Sequence, residues 1–319
     1  MSIAVVFPGQ GSQAIGMGRA LAEAFSDASH LFQEVDDALG QSLSRIMWEG
    51  PEDQLILTEN AQPALMAVSL AVIRVLDHQG QWRLQEKASF VAGHSLGEYS
   101  ALAAAGSFTL ADTARLLKLR GQAMQKAVPV GVGAMAALLG VEIEEANAIA
   151  DQAAGQEICQ TANDNASGQV VLSGHKGAIM RAIAIAAEKG YKRSVLLPVS
   201  APFHCALMQP AADAMQAALA TTQIMTPVVP LVANVTAQPV SDAAQISRQL
   251  VEQVTGTVRW RECVLTMKQL GVTRQVEAGA GKVLSGLVKR IDKDIEPISL
   301  QTPEDIEQFL LHPMSTGIV

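Results

Sequence analysis

The chain has 319 residues, 49% of them hydrophobic, and a formal net charge of −8, which is apolar material enough for one large domain or two smaller ones. The acidic balance excludes a broad nucleic-acid surface, because phosphate binding needs clustered Lys and Arg. Three widely spaced cysteines, Cys159, Cys205 and Cys263, exclude a disulfide framework and point to a reducing cytoplasm. Six histidines with no His-x-x-x-His or Cys-x-x-Cys spacing leave no metal-ligand pattern.

In chain order, residues 3–7 read as a strand that follows the start without a basic region, so no secretory signal is expected and the mature chain is expected to begin here. The turn Gly9-Gln10-Gly11 follows. A mostly apolar helix is expected over 62–76, then a short buried strand over 88–92, a helix over 96–105 stopped by Gly106, and a further helix over 109–126. From about residue 133 the pattern becomes strand 134–139, helix 143–153, strand 157–162, strand 170–173, helix 178–189 and strand 194–197. This is the βαββαβ order of a ferredoxin-like unit. Pro129, Gly131 and Gly133 on one side and Pro198 with Pro202 on the other form its hinges.

The α/β pattern resumes with strand 228–234, helix 246–254 and strand 275–277. A last helix is capped by Thr302 with Pro303 at its first position, and a short polar tail follows Pro313. The longest uncharged stretch, 214–240, is broken by Pro227, Pro230 and Pro239, so no membrane span is expected. The fold class expected is α/β: a large α/β-hydrolase-like domain (1–128 and 198–319) holding an inserted ferredoxin-like small domain (129–197).

Gly93-His94-Ser95-Leu96-Gly97 has the Gly-x-Ser-x-Gly pattern of a nucleophile elbow, and strand, turn and helix arrive there in the required order. The helix N-terminus directs backbone N–H groups at the serine, favouring an oxyanion formed beside it. A serine hydroxyl needs a base. His94 adjoins Ser95, but successive residues at a sharp turn point apart. His204 lies in a strand exit held by Pro198 and Pro202, where a side chain can be aimed with little freedom. Oxyanion N–H groups are expected from Leu96, next to the nucleophile, and from Gln10 in the glycine turn.

At 100° per residue, Arg120 falls about 60° from Leu117, at the edge of the apolar stripe of the 109–126 helix. Such an arginine is a surface side chain reaching water, half of an internal ion pair, or a planar fork gripping a substrate carboxylate.

With these residues in place, the chain resembles the bacterial malonyl-CoA:acyl-carrier-protein transacylase family almost end to end. The resemblance is carried by Phe7-Pro8-Gly9-Gln10-Gly11-Ser12-Gln13, Gln62-Pro63-Ala64, Ala92 to Tyr99, Arg120-Gly121-Gln122-Ala123-Met124, the Asn163-Asp164-Asn165 turn, Phe203-His204 and Gly281-Lys282-Val283-Leu284. It implies that Ser95 carries a malonyl ester, that His204 is base and then acid, and that Arg120 binds the free carboxylate. It further implies that the backbone carbonyl near Gln253 orients His204, making a dyad. Gln10 and Leu96 would supply the oxyanion N–H groups, with Asn163 and Phe203 on the substrate. Gly279-Ala280-Gly281 stands where the family more usually has Gly-Pro-Gly.

The partners implied are malonyl-CoA and an acyl carrier protein, with no bound cofactor or metal, no nucleic acid and no membrane. Both partners are acidic, and the family suggests a basic rim for which Lys282, Lys289, Arg290 and Lys293 are available, diluted by Asp292 and Asp294. A serine esterase or thioesterase is the rival reading. Its usual chain order puts an acid between the serine and a histidine near the end, whereas His204 is followed by a long α/β segment. A docking module without catalysis is a third reading, opposed by Ser95, His204 and Arg120 occurring together.

Overall fold

The computed structural model describes residues 2–199 and 201–311; Ser200 and the tail after Pro313 lie outside the described residues. Its ten strands are β1 (Ser2–Phe7), β2 (Phe90–Gly93), β3 (Gly133–Leu139), β4 (Cys159–Ala166), β5 (Gln169–His175), β6 (Arg193–Leu196), β7 (Leu231–Val232), β8 (Pro239–Val240), β9 (Val272–Ala278) and β10 (Glu296–Leu300). Together with the helices they make a mixed α/β fold of two sheets.

The larger sheet has the order β10-β9-β1-β2-β7-β8 and is parallel except for β7 with β8. β1 is apolar from Ile3 to Phe7, where it is buried on both faces. Alternation sends Ile3, Val5 and Phe7 into the main core and Ala4 and Val6 into a second cluster with Trp260 and Val264. The Thr58–Gly80 helix is buried on every side from Asn60 to Val72 and mostly apolar there, the pattern of an enclosed helix, while its last turns reach the surface. No helix among the described residues is long and apolar enough to cross a membrane.

The smaller sheet has the order β4-β5-β3-β6 with every neighbouring pair antiparallel. One face is covered by helices Ile143–Ala154 and Lys176–Glu188, which pack Ile149 and Ile179 against Ala136 and Leu138. From the other face Met135 and Val171 join the main core.

Several boundaries differ from the pattern reading. The strand expected over 228–234 is paired only at Leu231–Val232, as Pro230 has no N–H to give a ladder. Asn163-Asp164-Asn165 is not a turn: it lies within β4, where Asn163 pairs with Val171 and bridges to Val258. The helices Gln209–Leu219 and Trp260–Gln269 and strand β10 were not legible as separate elements. The last helix, Pro303–Leu311, starts as expected, with the Asp305 N–H donating to Thr302 Oγ1 at 3.2 Å.

β1 and β2 lie side by side and parallel, so the loops after Phe7 and Gly93 leave the same edge of the sheet, where parallel sheets place their sites. Gly97 is where the two loops cross. A Cβ there would sit 2.3 Å from the Phe7 carbonyl oxygen and 2.9 Å from that of Pro8. Gly97→Ala is therefore expected to lower the free energy of denaturant unfolding by about 3 kcal/mol. A loss under about 1 kcal/mol would contradict so close a crossing.

Candidate active site

Ser95 sits between β2 and the helix Gly97–Ala104 with φ 53°, a left-handed conformation that lifts its side chain out of the turn. Asn234, two residues beyond the end of β7, clamps this turn from both sides. Its Oδ1 accepts the Ser95 N–H at 2.9 Å and its Nδ2 donates to the Gly93 carbonyl at 2.8 Å. His204 is likewise held at φ 58°. Such conformations cost of order 1–3 kcal/mol each and persist only where the surroundings impose them.

The Ser95 hydroxyl lies 2.7 Å from His204 Nε2, and His204 Nδ1 lies 2.8 Å from the Gln253 backbone carbonyl. A carbonyl only accepts, so the proton sits on Nδ1 and the Nε2 lone pair faces the hydroxyl. His204 is buried, and desolvation, aided by the Arg120 charge, holds it down at about 3. It is thus neutral, a base ready to take a proton. His94, the other candidate, points away to Asn165 Oδ1 at 2.8 Å and packs against Trp260.

Arg120 is the main departure from the pattern reading. The stripe edge turns out to be interior, and the residue is 1% exposed. The reason is the neighbouring Thr58–Gly80 helix, approached so closely that a Cβ on Gly121 would be 2.6 Å from the Glu59 amide nitrogen. Arg120 Nη2 donates to Ser95 Oγ at 3.1 Å and Gln253 Oε1 at 2.9 Å, while Nη1 donates to Gln62 Oε1 at 2.8 Å. Its Nε–H is buried without a partner, and it makes no ion pair among the described residues. Beneath it lies the Tyr99 ring, 5.8 Å from the guanidinium carbon. A cation so placed can receive a carboxylate beside the serine.

Gln10 and Leu96 flank the same corner. Leu96 is buried at the start of the helix Gly97–Ala104, and Gln10 Oε1 accepts from Thr58 Oγ1 at 3.0 Å. Thr58 Oγ1 in turn accepts from Gln62 Nε2 at 3.1 Å, so a chain of hydrogen bonds runs from Gln10 to Arg120. Phe203 packs into the main core beside His204. Lys282, Lys289 and Lys293 are exposed, as is Arg290, which also reaches Gln169 Oε1 and the Ser167 carbonyl across the β4–β5 turn.

Sequence reasoning gave no role to Asn234, nor to Gln62 and Glu98, though both lie in stretches that carry the resemblance. Glu98 is 1% exposed; burial raises its carboxyl to about 7 against the hydrogen bonds from Asn234 and Gln253. Its signal was a lone acid three residues after Ser95 among Tyr99, Ser100 and Ala101, a helix with no polar face.

The two buried groups act on stability with opposite sign. His204, whose native value lies below its unfolded 6.5, contributes stability that is lost as pH falls from about 6.5 toward 3. Glu98, raised from 4.5 to about 7, disfavours the fold as pH rises through that interval. Replacing His204 by Gln is expected to shrink the stability lost between about pH 6 and pH 4 by on the order of 2 kcal/mol, read by urea unfolding. An unchanged acid slope would contradict a neutral buried His204.

The family model described as the acyl transferase domain matches residues 4–299. The chain is 42% identical over 306 residues to the malonyl CoA-acyl carrier protein transacylase of Bacillus subtilis (strain 168), covering 96% of this chain and 95% of that protein. Among solved structures it is similar to the acyl-carrier-protein-S-malonyltransferase from Bartonella henselae, with TM-score 0.95 and 56% identity over 98% of this chain and 99% of the other. It is also similar to a malonyl-transacylase solved with its type II PKS acyl-carrier protein, with TM-score 0.94 and 40% identity over 98% of this chain and 100% of the other.

Proposed function

Because the chain belongs to the acyl transferase domain family, we propose that it moves a malonyl group from malonyl-CoA to the phosphopantetheine thiol of an acyl carrier protein through an ester on Ser95. The observation that carries this reading is the buried guanidinium of Arg120, without an ion pair among the described residues and 3.1 Å from the Ser95 hydroxyl. Its role is to grip the free carboxylate of the acyl group.

In the first half-reaction Ser95 Oγ attacks the thioester carbonyl while His204 Nε2 takes the hydroxyl proton, and the Gln253 carbonyl steadies the imidazolium through Nδ1–H. The negative oxygen of the tetrahedral intermediate is held by the N–H groups of Gln10 and Leu96. Collapse breaks the carbon–sulfur bond, and His204 returns the proton to the departing CoA sulfur. The second half runs in reverse with the carrier-protein thiol as nucleophile: His204 takes the thiol proton and gives it back to Ser95 Oγ. Asn163 and Phe203 border the acyl group, and Lys282, Lys289 and Arg290 attract the acidic carrier protein.

Residues 1–128 and 198–319 then form the α/β-hydrolase-like catalytic domain, and 129–197 the inserted ferredoxin-like domain. The strand order β4-β5-β3-β6 supports this division. A cytoplasmic setting fits three buried, unpaired thiols.

The experiment is partition of the loaded enzyme. With malonyl-CoA and holo carrier protein, malonyl-carrier protein should form much faster than free malonate. Faster release of malonate would instead make the chain a thioesterase.

A further inference from the structure

Glu98 is a buried carboxylate that takes no part in the reaction just described. One oxygen accepts the Asn234 backbone N–H at 3.1 Å, and the other accepts from the Gln253 side-chain Nε2. Both partners reach the reacting pair. The Gln253 backbone carbonyl holds His204 Nδ1 at 2.8 Å, and its amide donates to the Ser95 carbonyl at 2.9 Å while accepting from Arg120 Nη2 at 2.9 Å. Asn234 holds the Ser95 N–H and the Gly93 carbonyl at 2.9 and 2.8 Å.

We propose that Glu98 is a positioning residue whose carboxylate fixes the Gln253 amide and the backbone at Asn234, and through them holds His204 and the strained Ser95 turn in register. The direction of the Gln253 amide is decisive. An amide can sit either way round, and only one way serves this site: Nε2 toward Glu98 and Ser95, Oε1 toward Arg120. In its ionised form the carboxylate only accepts and so selects that orientation; the reverse would set the amide NH2 against guanidinium N–H groups. The carboxylate satisfies the buried Asn234 N–H and the Gln253 NH2, but at a desolvation cost that a neutral acceptor would not carry. Its placement between the two holders of the reacting pair is what a positioning role requires.

The inference rests on the reading that Ser95 becomes acylated, so loading of the unaltered protein is measured first. If it acquires no malonyl ester, that reading fails and Glu98 is not at issue. Given loading, Glu98→Gln sets a donor against either the Gln253 NH2 or the Asn234 N–H without changing shape. The acylation rate at saturating malonyl-CoA is expected to fall by about 10²-fold, with KM changed by less than about threefold and the unfolding midpoint kept. Gln253→Leu cuts the same link from the other end while keeping the carbonyl, and decides the matter should Glu98→Gln not fold. The double variant should fall no further than the worse single one. Near-normal acylation in either single variant, or losses that simply add, would overturn the proposal.

Discussion

Arg120→Ala should reduce malonyl loading of Ser95 by about 10³-fold, roughly 4 kcal/mol in transition-state stabilisation, and acetyl loading by only about tenfold. The difference follows from what the guanidinium does in each case. On the proposed reading it gives malonyl a charge-assisted pair in a desolvated place, Arg120 being 1% exposed. For acetyl it acts only through Ser95 Oγ, Gln62 and Gln253, whose oxygens lose a donor. Arg120→Lys should recover only part of the malonyl rate, because an ammonium lacks the planar fork. Single-turnover loading with the two thioesters measures both effects. Equal losses would remove Arg120 from carboxylate recognition.

His204→Ala should lower loading by about 10⁴-fold while the protein stays folded at neutral pH. The imidazole is the group within hydrogen-bond reach of the Ser95 hydroxyl that can accept its proton, and it is already neutral. Ala keeps the left-handed φ of 58° and leaves a small gap where a buried ring stood, so stability at pH 7 should fall by about 1–2 kcal/mol, too little to unfold the protein. His94→Gln is the control: its ring serves Asn165 and Trp260, and its loss should cost about tenfold at most. Near-normal turnover in His204→Ala, with collapse in His94→Gln, would reverse the two assignments.

The parts of this site that sequence pattern made legible are those fixed locally. Gly93 to Gly97 is a turn whose glycines meet backbone: a Cβ on Gly93 would lie 1.9 Å from the Gly97 carbonyl carbon, so the motif is its own geometry. His204, two residues after Pro202, was legible for the same reason. Arg120 was only half legible. Periodicity placed it at a stripe edge, and whether that edge meets water depends on the helix Thr58–Gly80, more than forty residues away.

Asn234 and Glu98 were illegible because each acts across 136 or more residues of chain. The end of a parallel strand was nonetheless a place to look for Asn234. Polar Asn163-Asp164-Asn165 read as a turn because nothing local reveals that β5 and Val258 pair with it. Strand β10, with Pro297 in its midst, resembles a loop until β9 is beside it.

The most direct test of the covalent account is the intact mass of the protein after mixing with malonyl-CoA in the absence of any acceptor, followed by peptide mapping. The unaltered chain should gain one malonyl group on the peptide containing Ser95, and Ser95→Ala should gain none. A protein that turns over malonyl-CoA with no adduct, or one that carries the group on another residue, would contradict it.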